Sequence, residues 1–143
     1  MIEESMIREK FIKGYDCSQV VLSYFAERLG ITEEMANKVS ACFGGGMMHG
    51  DICGAFTGAI MAVGLKYGHC EVEHMGQKDI MNAKRAEFLQ KFQEKYVVCN
   101  CKGLLKHDIS KPEEMQKILD EGLLFDFCPE VVKDSITILK EIF

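Results

Sequence analysis

Apolar side chains recur at helical spacing through almost every segment of this chain, and nowhere do they alternate long enough to make a convincing strand. Segments that each carry one apolar stripe can bury it only by packing helix against helix. Ile2, Met6, Ile7, Phe11 and Ile12 mark a first segment, stopped by Gly14. Asp16, with Gln19 three residues later, has the form of a capping box. Val20, Val21, Tyr24, Phe25 and Leu29 then supply the face of a second helix that Gly30 ends. Thr32, Glu33 and Glu34 start a third, in which Met35, Ala36, Val39 and Phe43 are expected to face inward before Gly44-Gly45-Gly46. Asp51 is placed to cap a fourth from Ile52 to Tyr67, and the longest helix is expected over Met75 to Val98. Asn100 caps a short segment beginning at Cys101, Ser110 with Pro112, Glu113 and Glu114 marks another start, and the last helix runs from Pro129 to Phe143. The expectation is one all-α domain over residues 1–143, a compact bundle of six to seven helices.

Composition narrows the partners. With 48% apolar and 27% charged residues the chain has the balance of a globular protein, and 143 residues suffice for one core. Acidic residues number 22 against 17 basic ones, and no dense Lys/Arg stripe offers itself to a phosphate backbone, so nucleic acid is not an expected partner. The start, Met1-Ile2-Glu3-Glu4-Ser5, is acidic where a secretory signal would be basic, and a cytoplasmic location is expected. The longest uncharged run, Ile52 to Leu65, falls short of the ~20 apolar residues of a spanning helix, so no membrane insertion is expected.

That run carries Gly54, Ala55, Gly58, Ala59, Ala62 and Gly64. Each glycine costs about 1 kcal/mol against alanine inside a helix, so something must approach this face closely. It is either another helix or a ligand, which makes Gly54 and Gly58 candidate binding residues and keeps open a ligand- or partner-binding module with structural cysteines. Gly44 to Gly46 is neither a Walker loop nor a dinucleotide fingerprint, because no Gly-Lys-Ser/Thr follows and no strand precedes.

Seven cysteines are many for a chain expected in a reducing compartment, and an odd number cannot form a complete disulfide framework within one chain. Four fall at expected helix starts: Cys17 after Asp16, Cys53 after Asp51, Cys101 after Asn100, and Cys128 before Pro129. Helix N-termini present unpaired N–H groups and a partial positive charge, which stabilise a thiolate over a thiol. Cys42, Cys70 and Cys99 lack this setting and read as core or incidental. His49, four residues before Cys53, is placed to lower its pKa or to act as a base. Cys70 and His74 stand four apart in a polar stretch that reads as a loop, and Cys99-Asn100-Cys101 could form a ligand pair. The nine methionines suit an adaptable core or a homodimer interface better than copper.

With these residues in view, the chain resembles the family named C_GCAxxG_C_C, small proteins with four characteristic cysteines. The first corresponds to Cys17 in Gly14-Tyr15-Asp16-Cys17-Ser18-Gln19, and the central motif to Cys53-Gly54-Ala55-Phe56-Thr57-Gly58 after Phe43-Gly44-Gly45-Gly46-Met47. The last two fit Asn100-Cys101-Lys102-Gly103-Leu104-Leu105 and Cys128. The motif here reads CGAxxG, not the literal GCAxxG of the name. The resemblance implies a helical redox-active or metal-binding protein. Some relatives look like split-Soret cytochromes, in which an iron–sulfur centre accompanies haem; with no CxxCH in this chain, covalent haem is not expected.

Two chemistries follow for Cys17, Cys53, Cys101 and Cys128. As four ligands they suit an iron–sulfur cluster or zinc, although they come from separate helices and not from closely spaced pairs. Without metal, Cys53 is the attacking thiolate and one of the other three resolves the mixed disulfide formed with a thiol or electron-transfer partner.

Overall fold

A computed structural model describes residues 2–143, and the regular elements in them are helices: α1 (Glu4–Ile12), α2 (Cys17–Phe25), α3 (Glu33–Ser40), α4 (Gly54–Tyr67), α5 (Met75–Tyr96), α6 (Cys101–Leu105), α7 (Pro112–Asp120) and α8 (Cys128–Ile142). The all-α expectation holds, but eight α-helices stand where six to seven were expected. Left-handed residues close two of the later helices, Lys106 (φ 59°) after α6 and Gly122 (φ 71°) after α7. Among the described residues no helix is long and apolar enough to cross a membrane.

Local chemistry explains most of the boundaries. The Gln19 side-chain oxygen accepts the Asp16 N–H at 2.9 Å before α2, Thr32 Oγ1 accepts the Met35 N–H at 3.0 Å before α3, and Asn100 Oδ1 accepts the Gly103 N–H at 2.6 Å before α6. Each satisfies an N–H that a helix start would otherwise leave unpaired. Two expectations are corrected in α3. The helix stops at Ser40, and its Met35 and Val39 are exposed, because it meets α2 through its buried Ala36 and Ser40. Ser18 Oγ donates to the Ser40 carbonyl at 2.7 Å and Gln19 Nε2 to that of Asn37 at 3.0 Å. Ile80 of α5 is likewise exposed, while Phe88 and Phe92 carry that helix into the core.

The main core gathers α2, α4, α5 and α8 around Leu22, Phe25, Phe88, Phe92, Ile136 and Leu139, all fully buried. Burial of each such side chain contributes roughly 2 to 3 kcal/mol. What approaches the small-residue face of α4 is α2: a β-carbon on Gly58 would stand 2.7 Å from the Ser18 carbonyl oxygen. Of the two alternatives left open for this face, Gly58 shows a close contact with another helix. A second, smaller apolar cluster lies beside the first, built from Cys101, Leu105, Ile109 and Ile118.

The approach to α4 is the least regular part of the chain. Gly45, Gly46, Met47 and Met48 have φ of 65°, 61°, 61° and 53°, a left-handed turn. Two of those residues carry side chains, for which this conformation costs about 1–2 kcal/mol each. The turn closes where the Asp51 N–H donates to the Gly46 carbonyl at 3.3 Å. Asp51 to Cys53 then runs extended, antiparallel to Cys99 to Cys101: Cys101 N–H donates to the Asp51 carbonyl at 2.6 Å and Cys53 N–H to the Cys99 carbonyl at 2.8 Å, flanking the pair Ile52–Asn100. Because those residues spend their backbone groups across the chain, α4 begins at Gly54, two residues later than the sequence suggests. Its N-cap is Cys53, not Asp51.

Candidate functional site

Where the two apolar clusters meet, a cavity of about 230 Å³ opens, and Cys17, Cys53, Cys101 and Cys128 all line it. Cys17 and Cys53 pack against the main core, while Cys101 and Cys128 belong to the smaller cluster, so the sulfurs face the space from both sides. Each stands at a helix start: Cys17, Cys101 and Cys128 are the first residues of α2, α6 and α8, and Cys53 caps α4. The rest of the wall is largely apolar, with Phe11, Leu105, Ile109, Met115, Leu124 and Phe127 among its members. An aromatic series leads to it from the core, Phe56 to Phe92 at 5.3 Å between ring centroids, Phe92 to Tyr96 at 5.1 Å, and Tyr96 to Phe127 at 6.3 Å.

Gly54 also lines the cavity, directly beneath Cys17; a β-carbon there would overlap the Cys17 sulfur. This glycine makes room for a sulfur, where Gly58 makes room for a helix. The remaining cysteines stand outside the lining: Cys42 and Cys70 are exposed, contrary to a core role, and Cys99 is half-buried. His49 is exposed, pairs with Asp51 at 3.1 Å and is absent from the cavity wall, so the expected base for Cys53 is engaged elsewhere. His74 caps α5 without a side-chain hydrogen bond at the end of the exposed 69–74 loop that also holds Cys70.

The surroundings reverse the electrostatic expectation for three of the four. The Cys17 thiol is held well above its ordinary pKa, first by the neighbouring Cys53 sulfur and then by loss of solvent. The nearby Gly45 backbone amide pulls the other way, and the Asp16 carboxylate adds to the rise. Cys101 is pushed up to about 11 by burial and by the proximity of Cys17 and Asp108. Cys128 moves the same way, from burial and then from Cys17 and Cys101. Helix N-termini favour thiolates, but an apolar wall costs an isolated anion more than those partial charges return. These three are therefore neutral thiols near neutral pH. Their influence on one another's ionisation also marks the group as a single electrostatic cluster.

Among the described residues, no group of three or more His, Cys, Asp or Glu side chains is arranged to hold a metal ion as it stands. The sequence reading missed the apolar wall and the Gly45 amide. Leu104, Leu105 and Ile109 signal only burial, and an amide announces nothing in a sequence.

Residues 15–142 match the family model described as "Putative redox-active protein (C_GCAxxG_C_C)". The chain belongs to this family. The C_GCAxxG_C_C name spells a cysteine, a glycine-containing motif and two further cysteines, and the four that fit it by resemblance are the four that line the cavity. No curated protein and no solved structure matches the chain significantly.

Proposed function

We propose that this protein is a dithiol–disulfide redox protein whose working pair is Cys53 and Cys17. The observation that carries the reading is that both sulfurs line one largely apolar cavity, with the Cys17 sulfur seated over Gly54, the residue next to Cys53. Cys53 is the attacking group, the N-cap residue of the 14-residue α4 and one of the sulfurs lining the cavity. Its thiolate attacks one sulfur of a substrate disulfide, releasing the first thiolate, which takes a proton from water. Cys17 loses its proton as it attacks Cys53 in turn, displacing the second substrate thiolate. The products are a Cys17–Cys53 disulfide and two substrate thiols, so two electrons pass from protein to substrate. The apolar walls favour a small or extended disulfide with apolar flanks.

The test is alkylation of the reduced protein by iodoacetamide across pH, read peptide by peptide, followed by oxidation with glutathione disulfide. Cys53 is expected to react first among the four, and oxidation to yield a Cys17–Cys53 bridge. If Cys53 reacts no faster than an unfolded-chain thiol, the reading fails.

A second reading keeps the same four sulfurs as ligands. Cys17, Cys53, Cys101 and Cys128 would hold an iron–sulfur cluster or zinc, which would supply electron transfer or structural closure. Their convergence on one cavity supports it, as does the nature of the donors: buried neutral thiols surrender their protons readily only to a cation. Anaerobic purification with visible absorption and metal analysis tests it, and colourless protein free of iron and zinc counts against it.

A further inference from the structure

A further cysteine, Cys99, is paired with Cys53 through the backbone. Two hydrogen bonds fix the register of Asp51 to Cys53 against Cys99 to Cys101, and in that register Cys53 stands directly opposite Cys99. Residues directly opposed across an antiparallel ladder send their side chains to the same face. Where they share a ladder hydrogen bond their α-carbons are about 5.5 Å apart. That separation lies inside the range of roughly 4.4–6.8 Å that a disulfide spans. Both residues are half-buried and pack against the same core, yet Cys99 is not part of the cavity wall. The polar contact of its sulfur is the Gln93 amide at 3.8 Å, which leaves no strong bond to break before it moves.

The backbone just before it is committed to this arrangement. Val97, a β-branched residue, holds φ 65° where α5 ends, a conformation such residues seldom adopt. That reversal turns the chain so that the Cys99 carbonyl meets the Cys53 N–H, and strain of this kind persists where surrounding contacts over-determine it.

We infer that Cys99 is a second disulfide partner of Cys53, so that a bridge formed inside the cavity can be passed out of it. The inference rests on the dithiol reading above. The Cys99 thiol, deprotonated as it attacks, adds to the Cys53 sulfur of the Cys17–Cys53 bridge. The old S–S bond breaks, Cys17 leaves as a thiolate and takes up the proton, and a Cys53–Cys99 bridge remains. No electron enters or leaves, so the step needs no further oxidant, and the cavity regains one free thiol while the protein stays oxidised.

The experiment uses the full chain with the exposed Cys42 and Cys70 changed to serine. In the kinetic arm it is oxidised with glutathione disulfide, quenched in acid and mapped by peptide. The expected result is a Cys17–Cys53 bridge followed by a Cys53–Cys99 bridge. In Cys17→Ser, and in Cys17→Ala should the serine variant lose helix content, Cys53–Cys99 becomes the main internal bridge. The glutathione adduct of Cys53 then decays at least tenfold faster than in Cys17→Ser/Cys99→Ser. In the equilibrium arm the same variants stand in a poised buffer of reduced and oxidised dithiothreitol until their bridges stop changing. An adduct equally long-lived with and without Cys99, and no Cys53–Cys99 peptide at equilibrium, overturns the inference. If Cys53 is inert to glutathione disulfide but the bridge forms at equilibrium, the dithiol reading falls and the Cys53–Cys99 pairing stands.

Discussion

The sulfur of Cys17 rests directly over the α-carbon of Gly54, in the space a side chain at that position would fill. The first turns of α2 and α4 can thus approach closely enough for Cys17 and Cys53 to act as neighbours, and the same two helices close again at Gly58 against Ser18. These two glycines, four residues apart on one face, separate packing from chemistry.

Alanine at each position therefore has a different expected outcome. Gly58→Ala forces backbone apart from backbone and should destabilise the fold by about 1–3 kcal/mol in denaturant unfolding, even after the better helix propensity of alanine. Its cysteine reactivities should keep their order. Gly54→Ala crowds the Cys17 sulfur and also the Phe43 carbonyl oxygen, 2.9 Å from the added carbon, so it too should lose stability, and in addition the yield of Cys17–Cys53 bridge under glutathione disulfide should fall severalfold. Equal yields in the two variants would remove Gly54 from the site.

Asn100 holds the other half of the arrangement. Its side chain caps α6 and its backbone sits between the two ladder hydrogen bonds. Asn100→Ala should cost about 1 kcal/mol, the usual worth of such a cap. Because Cys101 is the first residue of that five-residue helix, fraying should expose it. Thermal unfolding reads the first effect, and a severalfold faster alkylation of Cys101 at pH 9 reads the second.

Much of this was legible in the residues. Asp16, Thr32, Asn100 and Pro112 mark helix starts where the structure has them, because a cap is a local interaction between residues two or three apart. The cysteines beside those caps could be assigned to a common setting for the same reason. What escaped is non-local. Nothing near Asp51 reveals that its backbone pairs with Cys101, some fifty residues on, so the start of α4 was placed two residues early. Met47 and Met48 carry no sign of a left-handed turn, which only the glycines beside them advertise. Met35 and Val39 repeat at helical spacing yet have no neighbour to cover them. The ionisation of the thiols escaped for a related reason: proximity to a helix start is written in the sequence, while the wall of Ile109, Leu124 and Phe127 that opposes it is assembled by the fold.

That opposition has a pH signature. Cys101 ionises near 11 in the folded protein, above the ordinary value of 9.0, and Cys17 and Cys128 shift in the same direction. Between those values the unfolded chain has lost protons that the folded chain retains, so unfolding becomes easier as pH rises. The stabilisation is fully present below pH 9 and disappears through 11. Lysines and tyrosines titrate in the same window, so the measurement is a difference: reduced wild type should lose on the order of 2 kcal/mol more than Cys101→Ala between pH 8.5 and 11. Parallel stability curves would mean that the Cys101 thiol is not desolvated by the fold.

The two readings of the cavity divide over Cys101 and Cys128. A dithiol mechanism needs Cys53 and Cys17, with the other pair as wall, whereas a cluster or zinc needs all four sulfurs. Cys101→Ser/Cys128→Ser should therefore still form the Cys17–Cys53 bridge with glutathione disulfide at a rate within a few-fold of wild type. The same variant, incubated anaerobically with ferrous iron and sulfide, should lose any visible absorption that wild type acquires, because two of four thiolate ligands are gone. If wild type stays colourless and zinc-free while the variant keeps its redox rate, the electrons belong to the dithiol alone. If the variant loses bridge formation while its helix content is unchanged, Cys101 or Cys128 takes part in the exchange, and the pair assigned here must be widened to the whole ring of sulfurs.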